Sequence, residues 1–74
     1  MIVKLQVISS PHIASGQMAE DFEKVGKLIH IGKVGSRSMG IVMENFSTTP
    51  IVKREGNVFT TGTGSVYRLT KIEE

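Results

Sequence analysis

The side chains with the most chemical potential in this 74-residue chain are two histidines, dispersed serines, seven carboxylates and nine basic residues. His12 and His30 lie far apart, and cysteine is absent. Metal binding and general acid–base catalysis need such groups within bonding reach of one another, and no such grouping is visible. No serine lies in a Gly-x-Ser-x-Gly elbow. We therefore expect no enzyme, no metal, no cofactor and no small-molecule substrate.

Glycine, hydroxyl and basic residues are concentrated at positions 32–40, in the run Gly-Lys-Val-Gly-Ser-Arg-Ser-Met-Gly. Successive backbone amides with glycine's freedom can form a concave nest for an anion, to which Lys33 and Arg37 would add charge. The run is not the Gly-x-x-x-x-Gly-Lys-Ser/Thr phosphate loop, and a strand, not a helix, is expected after it. A hairpin connection with solvated cations is the alternative interpretation.

Charge is distributed unevenly along the chain, whose formal net charge is +2. Residues 24–54 carry six cations and one acid, whereas the remaining residues carry three cations and six acids. This polarity suits an acidic protein surface or a nucleic-acid backbone. Sheets that bind nucleic acid usually expose aromatic side chains for base stacking. The chain has only four aromatics, which the core needs, so a protein partner is expected, with nucleic-acid binding through residues 24–54 as the alternative.

The elements that must position these residues are mostly short strands. In residues 2–8, Val3, Leu5 and Val7 share one face in the period-two pattern of a half-buried strand. Five more short runs rich in apolar or β-branched residues predict strands at 27–34, 39–44, 49–54, 57–61 and 65–72. The turns around Gly56 and Gly64 give the strongest hairpin signals.

A short helix is predicted at residues 15–26, because Met18, Phe22 and Val25 have the i, i+4, i+7 spacing of a buried helical stripe. Ser15 is a candidate N-cap and Gly26 a candidate C-terminal stop. The sequence therefore predicts an α+β fold. Its parts are a small, strongly bent antiparallel sheet or partly open barrel of five to six short strands, and one short helix.

Composition predicts a single globular domain over residues 1–74, with 39% hydrophobic and 22% charged residues. The N-terminal apolar segment is interrupted by Lys4 and Gln6 and is far shorter than the roughly 20 residues of a membrane span. We expect a cytoplasmic protein with no membrane association. The strands at 2–8 and 27–34 are the candidate free edges for pairing with a partner.

The C-terminal half resembles small β-rich accessory proteins of tailed bacteriophages. The resemblance is carried by four segments, at 35–45, 47–52, 56–61 and 64–69. In order they give a Gly-x-Ser strand, a Thr-Thr-Pro-Ile-Val segment, a turn with a threonine-rich strand, and a closing Ser-Val-Tyr-x-Leu strand. The resemblance implies a phage origin and a non-enzymatic accessory role inside the bacterial host.

Small phage proteins without catalytic groups commonly bind a host protein and inhibit or modulate it, and the transcription machinery, including RNA polymerase, is a frequent target class. Under this resemblance the contact surface is expected at the N-terminal strand and loop and at the basic residues between positions 24 and 37. The candidate partner-binding residues are His12, Lys24, Lys27, Lys33 and Arg37.

Overall fold

The computed structural model describes residues 1–73, and it contains one seven-stranded antiparallel sheet. Its strands are β1 Ile2–Ser9, β2 Glu23–Ile31, β3 Ile41–Met43, β4 Phe46–Ser47, β5 Ile51–Glu55, β6 Val58–Thr61 and β7 Val66–Glu73. A single helical turn, α1 Pro11–Ala14, lies between β1 and β2. The strand order is β4-β3-β2-β1-β7-β6-β5. Glu74, the last residue of the predicted domain, lies outside the described residues.

The first strand lies at the centre of the sheet, where β2 and β7 pair with its two sides. Side chains of β1 alternate between the two faces of the sheet: Val3 and Leu5 are fully buried, while Lys4 and Gln6 point to the other face. Leu5 lies opposite Leu69 of β7, which is also buried. The two faces of the sheet are therefore distinct: an inner face that forms the core, and an outer face.

The sheet is curled, because its two edge strands follow one another in the chain. Only residues 48–50 separate β4 from β5. A flat sheet would hold strands six places apart at about 29 Å, whereas the chain from Ser47 to Ile51 reaches at most about 14 Å. No ladder joins β4 to β5 among the described residues, so the sheet is open.

The core fills the inner face of this curl. Its buried hydrophobic residues are Val3, Leu5, Ile41, Met43, Ile51, Phe59, Tyr67 and Leu69. Phe46 extends the core, with its ring centroid 5.3 Å from that of Phe22 and 6.5 Å from that of Tyr67. The guanidinium of Arg54 lies 4.7 Å from the ring centroid of Phe59, and so closes the core at the β5 edge. All four aromatic rings therefore belong to the core or pack against it, as predicted.

The predicted fold class is wrong. The protein is not an α+β fold with five to six strands, since seven strands make up one open antiparallel sheet and the helix has four residues. The strand that the sequence missed is β4, which falls in the predicted break at 45–47. Two residues give too short a pattern for period-two alternation to be recognised. The hairpins at Gly56 and Gly64 are confirmed, and both glycines have positive φ.

The predicted helix at 15–26 is also wrong, since its last four residues begin β2. Met18 and Phe22 do pack against the core, but Val25 is 49% exposed. A three-turn helix has little stability of its own, whereas β2 gains a five-residue ladder with β1. Gly26 does not end a helix. It lies buried in the strand, where an added Cβ would come 2.7 Å from Oδ1 of Asn45.

The predicted free edges are wrong as well. β1 and β2 are both interior strands, and the edges are β4 and β5. The β5 edge carries Lys53, Arg54 and Glu55, and its register with β6 is irregular around Val52. Charged residues and bulges at an edge are features that oppose pairing with another chain. The other edge strand, β4, is only two residues long. We therefore infer that neither edge is adapted to strand addition.

A buried threonine joins the connection between the edge strands to β3. Thr48 is buried, its Oγ1 accepts a hydrogen bond of 2.9 Å from the amide of Ile41, and the hydroxyl donates to the carbonyl of Thr49. The substitution Thr48→Val keeps the shape but leaves that amide without its acceptor, so we expect a loss of about 1–3 kcal/mol in the free energy of unfolding.

Urea denaturation followed by circular dichroism measures this loss, and Thr48→Ser is the matched control because it keeps the hydroxyl. The serine variant should retain most of the stability. A valine variant as stable as the original protein would show that the hydrogen bond contributes little at this position, since valine keeps the methyl group and lacks only the hydroxyl.

Candidate functional site

The structure spreads the five sequence-predicted site residues over different parts of the molecule. His12 lies in α1, half-buried, with Nδ1 3.0 Å from Oε1 of Gln17. Lys24 is half-buried at the start of β2, opposite Leu5 and hence on the inner side. Lys27 lies on the outer face, opposite Ile2.

The remaining two predicted residues, Lys33 and Arg37, are exposed in the β2–β3 loop. This loop follows the end of β2, whereas Lys24 is at its beginning, and the strand between Lys24 and Ile31 is about 23 Å long. Lys24 and Lys27 also point to opposite faces of β2. The structure therefore does not bring the five residues together into one surface.

Five of the nine backbone amides in the β2–β3 loop at 32–40 donate to other groups of the protein. Those of Gly32, Gly35 and Gly40 donate to the carbonyls of Gly40, Ile51 and Thr48 respectively. The amide of Ser36 donates to the carbonyl of Lys33, and that of Ser38 to Oγ of Ser36. These amides are not free to bind an anion. The geometry thus favours a hairpin connection, and the bond from Gly35 to Ile51 fastens the loop to β5.

A row of cations crosses the outer face, and it comes from three strands. Lys27 of β2 lies opposite Ile2, and Lys4 of β1 lies two residues further along that strand, opposite Thr70 of β7. Arg68 is two residues from Thr70, opposite Gln6. Each step crosses one strand and advances two residues, which places diagonal neighbours about 7–8 Å apart. We call Lys27, Lys4 and Arg68 the basic row.

Acids lie near the basic row, and Oε1 of Glu44 accepts a 3.1 Å hydrogen bond from the backbone amide of Lys27. Within residues 1–73, none of its three side chains makes an ion pair. Two acids of the outer face are already engaged: Glu23 accepts a 3.4 Å hydrogen bond from Nε2 of Gln6, and Glu55 forms a 3.1 Å ion pair with Lys53. The three cationic side chains therefore have no ion-pair partner among residues 1–73.

Aliphatic side chains border the row on β1 and β2. Val25 and Ile29 lie two residues on either side of Lys27 and are 49% and 62% exposed. Ile2, directly opposite Lys27, is half-buried on the same face. A surface that combines exposed aliphatic groups with unpaired cations is suited to a partner that offers apolar and acidic groups together.

A shallow groove lies on the outer face beside Arg68, whose ladder partner in β6 is Val58. It has a volume of about 210 Å³ and is lined by Lys53, Glu55, Val58, Thr60 and Val66. Pockets for small molecules usually enclose about 300–1,000 Å³, so this groove is suited to a single side chain of a larger partner.

Sequence reasoning missed Lys4 and Arg68, because it placed both in the acidic flanks of the chain. A local signal was present: each alternates with buried residues, Lys4 with Val3 and Leu5, and Arg68 with Tyr67 and Leu69. That pattern identifies the outer face, but only the register of three strands shows that the two cations are neighbours of Lys27.

Among residues 1–73, no helix has the length and hydropathy to cross a bilayer, and no three His, Asp or Glu side chains are grouped to hold a metal ion. The resemblance to phage accessory proteins stays a prediction. In comparisons with known proteins, no family model, no curated protein and no solved structure matches the chain.

Proposed function

We propose that this protein is a non-catalytic binding module that regulates another protein by contact through the outer face of its sheet. The observation that carries the proposal is the basic row, bordered by exposed Val25 and Ile29. Opposite charges steer association and fix the orientation of partners, and aliphatic groups add apolar area to the contact.

The position of the aromatic side chains supports a protein partner over a single-stranded nucleic acid. Phe59 and Tyr67 are buried, and Phe22 and Phe46 pack against the core. None of the four is on the outer face beside the basic row. Base stacking on exposed rings supplies much of the affinity of single-strand-binding sheets, so such a contact here would rest on phosphate charges alone.

The resemblance of the C-terminal half to phage proteins suggests the kind of partner. We propose a bacterial host protein, with RNA polymerase as the first target to be tested, and an inhibitory or modulating effect. This places the protein in the host cytoplasm.

The test is capture of partners from a bacterial lysate with the tagged protein, with and without nuclease, followed by titration of purified RNA polymerase. A specific partner that resists nuclease and binds again when purified supports the proposal. Recovery of partners only in the absence of nuclease would instead favour nucleic-acid binding. No binding to purified polymerase and no effect on transcription in vitro would remove polymerase as the target.

Two double variants with the same change in charge locate the surface. Lys4→Glu with Arg68→Glu reverses the basic row, and Lys33→Glu with Arg37→Glu reverses the loop cations that the sequence pointed to. We expect the first pair to weaken binding by tenfold or more, about 1.4 kcal/mol, and the second by much less. A loss confined to the loop pair would place the contact on the loop and contradict the outer-face proposal.

A further inference from the structure

We propose that the basic row binds an extended acidic segment of the partner in which carboxylates occupy alternate positions. This inference rests on the proposed function, and it specifies the chemistry of what the outer face recognises. The segment lies across the strands, along the diagonal defined by Lys27, Lys4 and Arg68.

The spacing of the row matches alternate residues of an extended chain. Diagonal neighbours on adjacent strands are about 7–8 Å apart, and two residues of extended chain advance about 6.6–6.8 Å. Three carboxylates at i, i+2 and i+4 therefore meet the three cations, with side-chain flexibility covering the difference. Adjacent acids would instead point to opposite sides of the segment, so only every second one would face the sheet.

Electrostatics favour an anionic occupant for this row. Two like charges about 7 Å apart repel by about 0.6 kcal/mol even at the dielectric constant of water, and no acid among residues 1–73 forms an ion pair with these cations. Carboxylates laid along the row remove that repulsion. Arg68 can also hold a carboxylate through two parallel N–H donors, which adds directional preference.

The edges of the sheet argue against the other common way of binding an extended segment. Strand addition requires an open, regular edge. Here β4 has two residues, and β5 combines three charged side chains with an irregular register. Because both edges are poorly suited to strand addition, we place the extended partner on the outer face.

Two acids of the chain lie close enough to compete with the segment: Glu44, whose Oε1 is 3.1 Å from the amide nitrogen of Lys27, and Glu73. Glu73 of β7 is opposite Ile2, which makes it a diagonal neighbour of Lys4 on the outer face. Its carboxylate repels an incoming acid there. We expect Glu73→Gln to tighten binding by about twofold to fivefold, since weak exposed charge pairs contribute up to about 1 kcal/mol.

The test uses two fluorescent peptides of identical composition, Ser-Glu-Ser-Glu-Ser-Glu-Ser and Ser-Ser-Glu-Glu-Glu-Ser-Ser, with anisotropy measured at low and at physiological ionic strength. We expect the alternating peptide to bind about threefold to tenfold more tightly, and salt to weaken it through screening. Lys4→Gln with Arg68→Gln should lower that affinity by about tenfold, whereas Lys33→Gln with Arg37→Gln should have little effect. Thermal denaturation confirms that each variant is folded.

Equal affinity for the two peptides would overturn the inference, and so would an equal loss in both double variants. Tighter binding of a helical peptide with acids at i, i+4 and i+8, or of an oligothymidylate of equal charge, would also overturn it. These outcomes are separable from failure of the proposed function. If the peptides fail while a nuclease-resistant partner is still captured, only the segment inference falls; if the alternating peptide binds but no protein partner exists, the regulatory function falls.

Discussion

Replacing Phe59 with alanine is expected to remove a large fraction of the protein's stability and to lower its thermal midpoint well below that of the original chain. Phe59 is 1% exposed and lies opposite Tyr67 in the β6–β7 ladder. Truncation of a buried phenylalanine costs about 3–5 kcal/mol, and a chain of this length has a total stability of about 4–11 kcal/mol. The remaining core residues cannot fill the cavity, because they lie on strands whose register is fixed by main-chain ladders.

Thermal denaturation followed by circular dichroism measures the effect. Val52→Ala on the neighbouring strand is the control, since Val52 is 54% exposed, and exposed substitutions usually change stability by no more than about 0.5 kcal/mol. Similar midpoints for the two variants would mean that Phe59 is not central to the core.

The second large effect is expected for Gly40→Ala. An added Cβ at Gly40 would lie 2.5 Å from the carbonyl oxygen of Thr49 and 2.9 Å from Cγ1 of Ile51. The neighbouring backbone is held by hydrogen bonds between Gly40 and Thr48 and between Ile41 and Thr48, so it cannot move without breaking them. We expect a loss of about 3 kcal/mol, the upper part of the usual range for overpacking.

Gly62→Ala is the matched control, because its added Cβ meets only the carbonyl oxygen of Pro50, at 3.7 Å. Urea denaturation of both variants measures the difference. If Gly62→Ala destabilised the protein as much as Gly40→Ala, close packing around Gly40 would not be the cause, since the lower entropy of the unfolded chain by itself makes a Gly→Ala change slightly stabilising.

The strands were readable from the sequence where burial imposes alternation over several residues. Val3 and Leu5 in β1, and Tyr67 and Leu69 in β7, alternate with charged or polar residues that face outward. Gly56 and Gly64 marked their hairpins because a turn there requires positive φ. These are local signals, and each is complete within a few neighbouring residues.

The helix prediction failed for a non-local reason. Met18 and Phe22 are spaced for a helical stripe, and both do contact the core. The free energy that decided the conformation came from pairing between β2 and β1, whose ladder joins Gln6 to Glu23. The sequence of one segment does not show which distant strand will pair with it.

The candidate site had the same limitation. Counting charge along the chain separated a basic middle from acidic flanks, but folding places Lys4 and Arg68, both from the flanks, beside Lys27. It also turns Lys24 to the other face of β2. Position along the chain therefore did not predict which cations are neighbours in the fold. The face of the sheet that each residue occupies could have been predicted from alternation.

The central position of β1 has a consequence for how the chain folds. Its two neighbours are β2 and β7, and β7 is the last of the seven strands along the chain. Until β7 has been synthesised, one side of β1 is unpaired and Leu5 lacks its ladder partner Leu69. Sheets dominated by contacts of such long sequence separation fold in milliseconds to seconds, slower than proteins with local contacts. Completion of the sheet therefore depends on synthesis of β7, and a ribosome stalled before β7 would carry a chain whose central strand is paired on only one side.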